Sequence, residues 1–370
     1  MDAPLWTEAH APDLDDLPQS EARERLERAV DQPLNLVVQG PPGVGKTAGV
    51  RAMARAAHAD PESDLFELNV ADFFDRTKKE IREDPRFEHF LQGQTEVSKQ
   101  YRRAGDRRNK YKRDWSKRSM LGHVLAEYAG HAPATGSYKT LVLDNCEAIR
   151  EDFQQALRRV IERNHRTTQF VLVTRQPSKL IPPIRSRCFP VPVRAPTVDE
   201  LVGALERIVE REGVAHDRAG LEYVAGYADG DVRAATLGAQ SVAVEAGEIT
   251  EEAAYEALSE VGHDDALRAV LADARAGDIA GARDGIDDLL DEGYDGPTLL
   301  RDLLRVARAA AAYDGDTVAR LHRLAGPVDH DLVTGTNDRL HLARLLARWG
   351  TDADGTEGTA GAGETGEAAD

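Results

Sequence analysis

Eight consecutive residues, Gly40, Pro41, Pro42, Gly43, Val44, Gly45, Lys46 and Thr47, carry the sharpest chemical signal in the chain. They complete the pattern GxxxxGK[ST] between an apolar run and a helix-forming stretch, the context in which that pattern is a phosphate-binding loop. The glycines let the backbone wrap a phosphate chain, and the helix N-terminus adds a favourable dipole. Lys46 is expected to reach the β- and γ-phosphates of ATP, and the Thr47 hydroxyl to help hold Mg²⁺. Further along, Leu141, Val142 and Leu143 run into Asp144. An apolar strand ending in Asp is the companion motif, with Asp144 binding the same Mg²⁺ directly or through water. An Asp that merely ends a buried strand is the bland alternative, and the position about a hundred residues after a phosphate-binding loop argues against it.

These residues need a scaffold that brings them to one edge. Leu34–Gln39, Phe66–Val70, Thr140–Leu143 and Phe170–Thr174 read as short buried strands. Helices are expected at about Glu21–Val30, Lys46–His58 and Leu121–Tyr128. Between the last two strands, Phe153, Ala156, Leu157, Val160 and Ile161 recur at helical spacing, with Arg158, Arg159 and Glu162 on the polar face. Strands alternating with helices predict an α/β fold, a parallel sheet with helices on both faces. Pro190, Pro192 and Pro196 punctuate the change to a second domain. Thr197 and Glu200 then form a capping box that opens a helical stretch to about Val261. A further helical block runs from about Asp264 to Trp349, and the Gly/Thr/Ala-rich acidic stretch from Gly350 reads as a disordered tail. The expected division is residues 1–193, 194–262, 263–349 and 350–370.

The net charge of −18, with 9 Lys against 38 Arg, argues against a uniformly DNA-binding surface and suits a protein adapted to high salt. At molar salt the Debye length falls to about 3 Å, so an acidic surface does not repel DNA at long range. Residues 76–118 break the pattern with 15 Lys/Arg against 7 Asp/Glu. Tyr101, Tyr111 and Trp115 are interleaved with the bases, and Arg102, Arg103, Lys110, Lys112 and Arg113 are candidate DNA contacts. The competing reading is a solvated arm that packs on an acidic neighbour. No stretch of about 18 apolar residues occurs, so no membrane span is expected. The acidic N-terminal stretch lacks an apolar signal region, which predicts a cytoplasmic protein. Cys146 and Cys188 lack metal-type spacing and read as reduced thiols, and His123, His216 and His322 as ordinary residues.

Several segments resemble replication factor C small subunits of archaeal type, in the clamp-loader branch of the AAA+ ATPases. Ser178–Cys188 (SKLIPPIRSRC) resembles the SRC box, and Gln154–Glu162 the helix after the Asp motif. Glu67–Asp72 resembles the ELNASD segment, and Gly230–Ala235 the stretch carrying the sensor 2 arginine. Leu332–Leu345, with Val333, Gly335, Asn337 and Arg339, resembles the pattern near the family's C-terminus. The matches are collinear from Trp6 to Trp349.

The resemblance implies an AAA+ domain, a helical lid and an all-α collar. It makes Arg187 an arginine finger given in trans to a neighbour's ATP, and Arg233 the sensor 2 residue. The implied partners are other replication factor C subunits in a five-membered ring, a sliding clamp and primer-template DNA. Three departures stand out. Asn145 follows Asp144 where the family has Glu, and a neutral amide cannot act as a base. Glu147 lies two residues on, past the strand end. Arg175 aligns with a usual Asn, and Trp6–Pro12 (WTEAHAP) lacks the family's basic residues near adenine. The pattern predicts a subunit that binds ATP and completes the next site while hydrolysing slowly itself. A non-catalytic scaffold subunit is the first rival. Another AAA+ DNA remodeller is the second, but it would more naturally end in a winged helix.

Overall fold

The computed structural model describes residues 4–91, 115–335 and 337–351. Five strands form one all-parallel sheet: β1 (Leu36–Gln39), β2 (Leu65–Asn69), β3 (Lys139–Asp144), β4 (Thr168–Thr174) and β5 (Phe189–Pro192), in the order β2-β3-β4-β1-β5. Alternate residues along the strands supply opposite faces, as the pleat requires. Val37, Leu141, Leu143, Phe170 and Leu172 pack with helices Lys117–Gly130 and Glu151–Asn164. Leu36, Val38, Val142, Val171 and Val173 pack with helices Ser20–Asp31 and Lys46–Ala57. Both faces are covered, which is why the strands read as apolar runs rather than alternating ones.

β5 corrects the reading of Pro190 and Pro192 as mere punctuation. The flanking Phe189 and Val193 amides donate to the Asn35 and Gln39 carbonyls, both at 2.7 Å. Pro190 and Pro192 alternate with these donors, so their missing N–H groups fall on the open side of an edge strand, where proline is tolerated.

The described residues fall into two compact units, divided between Tyr255 and Glu256. In the first, the sheet is followed by helices Val198–Glu212, Arg218–Tyr227 and Val232–Ala246. This stretch is not wholly helical. Ala215–His216 and Glu248–Ile249 form a short parallel ladder. In the second unit, Asp264–Ala276, Ile279–Asp291, Gly296–Ala309, Gly315–Thr334 and Asp338–Thr351 are helices, with no strand among the described residues. Their core includes Leu271, Leu303, Leu346 and Trp349, whose indole N–H donates to the Leu271 carbonyl at 3.3 Å.

The basic segment is anchored at both ends. Short helices Lys78–Glu83 and Pro85–Leu91 bury Ile81 and Phe87, and Lys117 donates to the Phe74 carbonyl at 2.6 Å. Trp115, read above as part of a nucleic-acid surface, instead packs against the core, edge-on to His123 at 4.7 Å. Tyr101, Arg102, Arg103, Lys110, Tyr111, Lys112 and Arg113 lie outside the described residues.

A buried polar cluster fills the N-terminal end of β3. Asp64 accepts from the Ala134 and Thr135 amides at 2.6 and 2.8 Å and from the Thr135 hydroxyl at 2.6 Å. Lys139 donates to the Tyr128 carbonyl and lies 4.2 Å over the Tyr128 ring. Burial lowers the Lys139 ammonium from its ordinary 10.5 to about 8, against the opposing pull of Asp64. Between those values the unfolded chain binds more protons than the folded one, so stability rises with pH across that window. Melting from pH 7.5 to 10 should therefore show wild type gaining on Lys139→Met, a difference independent of pH being the contrary result.

Candidate nucleotide-binding site

The parallel register brings the C-terminal ends of β1 and β3 to one edge, and the two motifs meet there. Thr47, on the first turn of helix Lys46–Ala57, donates from its hydroxyl to Asp144 Oδ2 at 2.8 Å. Lys46 is buried, and its ammonium donates to the Pro41 carbonyl within the loop. Burial pushes that ammonium down, Asp144 opposes the shift, and the nearby Arg175 charge adds to it. Gly40 has a packing reason to be glycine, since a Cβ there would run into the Val193 carbonyl at the end of β5.

A cleft of about 950 Å³ opens beside these groups. It is lined by Gly43, Val44, Gly45, Lys46, Thr47 and Asp144, and by Arg233 from the helical lid. Pro41 and Pro42 complete the loop before Gly43. Arg233 is exposed to the cleft and makes no ion pair among the described residues. The donor set suits a magnesium triphosphate: one hydroxyl and one carboxylate within hydrogen-bonding distance, one buried ammonium and a helix N-terminus.

The N-terminal segment and the lid supply further cleft residues. Trp6 is buried, with its amide donating to Gln240 Oε1 of the lid at 2.9 Å. His10 pairs with Glu212, and Arg207 bonds the Asp16 carbonyl at 2.7 Å and its carboxylate at 3.3 Å. The N-terminal segment is thus tied to the lid across the cleft. Arg86, at the base of the basic segment, also lines the cleft and is gripped by Asp84. The hydrogen bond from Arg86 holds the Asp84 carboxyl down at about 2.

The water side of the site differs. Asn145 sits in the left-handed region at φ 54°, a conformation Asn tolerates better than most residues. Its amide donates to Asn69 Oδ1 at 3.1 Å. Glu147, whose reach the sequence left open, is turned into a 3₁₀ turn after the strand. It accepts from the Thr174 hydroxyl at 2.7 Å and from Arg175 Nε at 3.1 Å. Burial works against its charge, but these donors outweigh it and hold the carboxyl below its usual range. Arg175 Nη2 also lies 3.5 Å from Asn145 Oδ1. Glu147 is committed to Thr174 and Arg175.

Arg187 lies on the stretch after the short helix Pro182–Arg185, partly exposed. Its guanidinium bonds the Pro183 carbonyl at 2.7 Å and pairs with Glu162 at 2.8 Å. In the single chain Arg187 is therefore held in a surface salt bridge. Cys146 is buried and Cys188 partly so, both thiols pushed up by burial, Cys188 to about 12. No cluster of three or more His, Cys, Asp or Glu side chains placed to hold a metal ion occurs among the described residues.

Residues 121–197 match the family described as DNA polymerase III, delta subunit, and residues 262–348 match the replication factor C C-terminal domain. A replication factor C small subunit of Halobacterium salinarum is 28% identical over 356 residues, covering 95% of this chain and 97% of its own. That of Natronomonas pharaonis is 29% identical over 353 residues, covering 93% and 94%. That of Methanococcus maripaludis is 29% identical over 320 residues, covering 85% and 87%. A solved structure of Thermotoga maritima RuvB is 17% identical, covers 67% of this chain and 71% of its own, and superposes with a TM-score of 0.47, too loose a likeness to bear on function. With a phosphate-binding loop on a parallel sheet, a helical C-terminal unit and relatives matched over nearly their whole length, the chain is similar throughout to replication factor C small subunits.

Proposed function

We propose that this chain is a clamp-loader subunit that binds Mg²⁺-ATP tightly, hydrolyses it slowly, and completes the site of a neighbouring subunit. It acts in DNA replication with other replication factor C subunits, a sliding clamp and primer-template DNA. The observation that carries the finer reading is the contrast inside one site. Thr47, Asp144 and Lys46 are arranged to grip a magnesium triphosphate. The position that would orient the attacking water holds Asn145, bonded to Asn69, and the nearest carboxylate, Glu147, is bound to Thr174 and Arg175. An amide cannot take a proton, and a carboxylate paired with a guanidinium is a poor base. The acidic, arginine-rich composition fits adaptation to high salt, and no helix among the described residues is long and apolar enough to cross a membrane.

Arg187 supplies the trans role in this reading. A guanidinium offers fixed planar charge where phosphoryl transfer accumulates negative charge. In the assembled ring it exchanges Glu162 for the neighbour's γ-phosphate. Arg102, Arg103, Lys110, Lys112 and Arg113 are proposed as DNA contacts, and Arg233 as the lid's cation toward the nucleotide.

Two measurements on the assembled complex test this. Asn145→Glu alone should leave turnover nearly unchanged, because the new carboxylate stands within reach of Arg175. Asn145→Glu with Arg175→Asn should raise it by about tenfold or more, the scale of a restored general base. Wild-type turnover at this site equal to the double variant's would contradict slow hydrolysis. Arg187→Ala should cut turnover at the neighbouring site by about a thousandfold, and Arg187→Lys should not restore it. Unchanged turnover in both would leave Arg187 as a surface ion pair.

A further inference from the structure

The loop pattern demands glycine at positions 40 and 45 but leaves position 43 free, yet Gly43 is glycine. Two features of the fold explain it. Gly43 has φ +71°, and a Cβ there would overlap the carboxylate of Asp231. An acidic side chain of the lid therefore rests directly against the backbone that wraps the phosphates. The adjacent residue seals the contact, with the Val232 amide donating to the Gly43 carbonyl at 3.1 Å.

Asp231 is also bound on its own side. Its Oδ1 accepts from the Ala234 amide at 2.8 Å, capping helix Val232–Ala246, and its amide donates to the Ala228 carbonyl at 2.9 Å. A cap holds the first turn of a helix, and Arg233 is in that first turn. Arg233 faces the cleft with no ion pair among the described residues, so its direction is set by the turn that carries it. A carboxylate beside a loop that binds an anion opposes binding electrostatically. Its presence there calls for a compensating geometric role.

We propose that Asp231 is the positioning residue that docks the lid on the phosphate-binding loop and thereby aims Arg233 at the nucleotide, Gly43 being glycine to receive it. This rests on the nucleotide-binding reading above. A residue that only capped its helix would leave the loop and Arg233 independent of each other. Docking instead couples residues 43, 231 and 233 into one unit whose substitutions do not add.

The test is titration of the full-length chain with Mg²⁺ and ATPγS by calorimetry, with nucleotide-free melting to check folding. Arg233→Ala should weaken binding by about tenfold in the wild-type background but by less than about twofold in Asp231→Ala. In Asp231→Asn, which keeps both the cap and the shape, the Arg233→Ala loss should return to about tenfold. Gly43→Ala should reproduce the Asp231→Ala loss, and the two together should bind no worse than Gly43→Ala alone. If Asp231→Ala fails to fold, Asp231→Ser keeps a cap while withdrawing the carboxylate from Gly43, with the same outcome expected. Equal Arg233→Ala losses in all backgrounds, or no loss in wild type, would overturn the docking role. Failure of the wild-type chain to bind ATPγS would overturn the nucleotide reading and this role with it. Binding by wild type with additive variants would overturn the docking role alone.

Discussion

The site depends on one constraint, the parallel register that puts β1 next to β4 and β4 next to β3. Parallel strands all end on the same edge, so the loop after β1 and the carboxylate ending β3 are delivered together by the sheet alone. The 2.8 Å hydrogen bond from Thr47 to Asp144 is the local expression of that register. Its strength comes from what surrounds it. β4 is wholly buried, and two apolar layers lock the strands from both sides. A one-residue slip would turn every inward side chain outward, so the register and the site stand or fall together.

On this frame the electrostatics divide the site in two. The phosphate side gathers Lys46, the helix N-terminus and the hydroxyl of Thr47. The water side gathers an amide and a neutralised carboxylate. Glu147 and Arg175 satisfy each other, and the pair also lies close enough to influence Lys46. Charged groups satisfied by one another are poor proton acceptors but good fixed walls. Such a wall fits the proposed role of a site that holds its nucleotide.

The proposed division of labour rests on residue types that are legible in the sequence and on a geometry that is not. The phosphate-binding loop and Asp144 are readable because phosphate wrapping needs fixed spacing in one contiguous stretch. The strands that lead into them are readable as apolar runs, and the helix after the loop from its apolar spacing. β5 was missed because its two prolines suppress the strand signal, although at an edge they remove only donors that face outward. Glu147 could not be oriented from sequence, since its direction follows from the left-handed Asn145 and the 3₁₀ turn after it. Trp115 looked like a nucleic-acid aromatic because composition cannot separate a stacking surface from a residue that pins a segment to the core. Asp231 leaves only a faint trace, a capping residue two places before Arg233. The reason for Gly43 appears only when chain segments nearly two hundred residues apart are brought together.

In the proposed role this subunit retains its nucleotide as triphosphate. The direct measurement loads the assembled complex with labelled ATP, isolates it rapidly, and identifies the nucleotide in this subunit's site by crosslinking and chromatography. ATP should remain in that site after neighbouring sites have converted theirs to ADP. ADP appearing there at the same rate as in the neighbouring sites would contradict it.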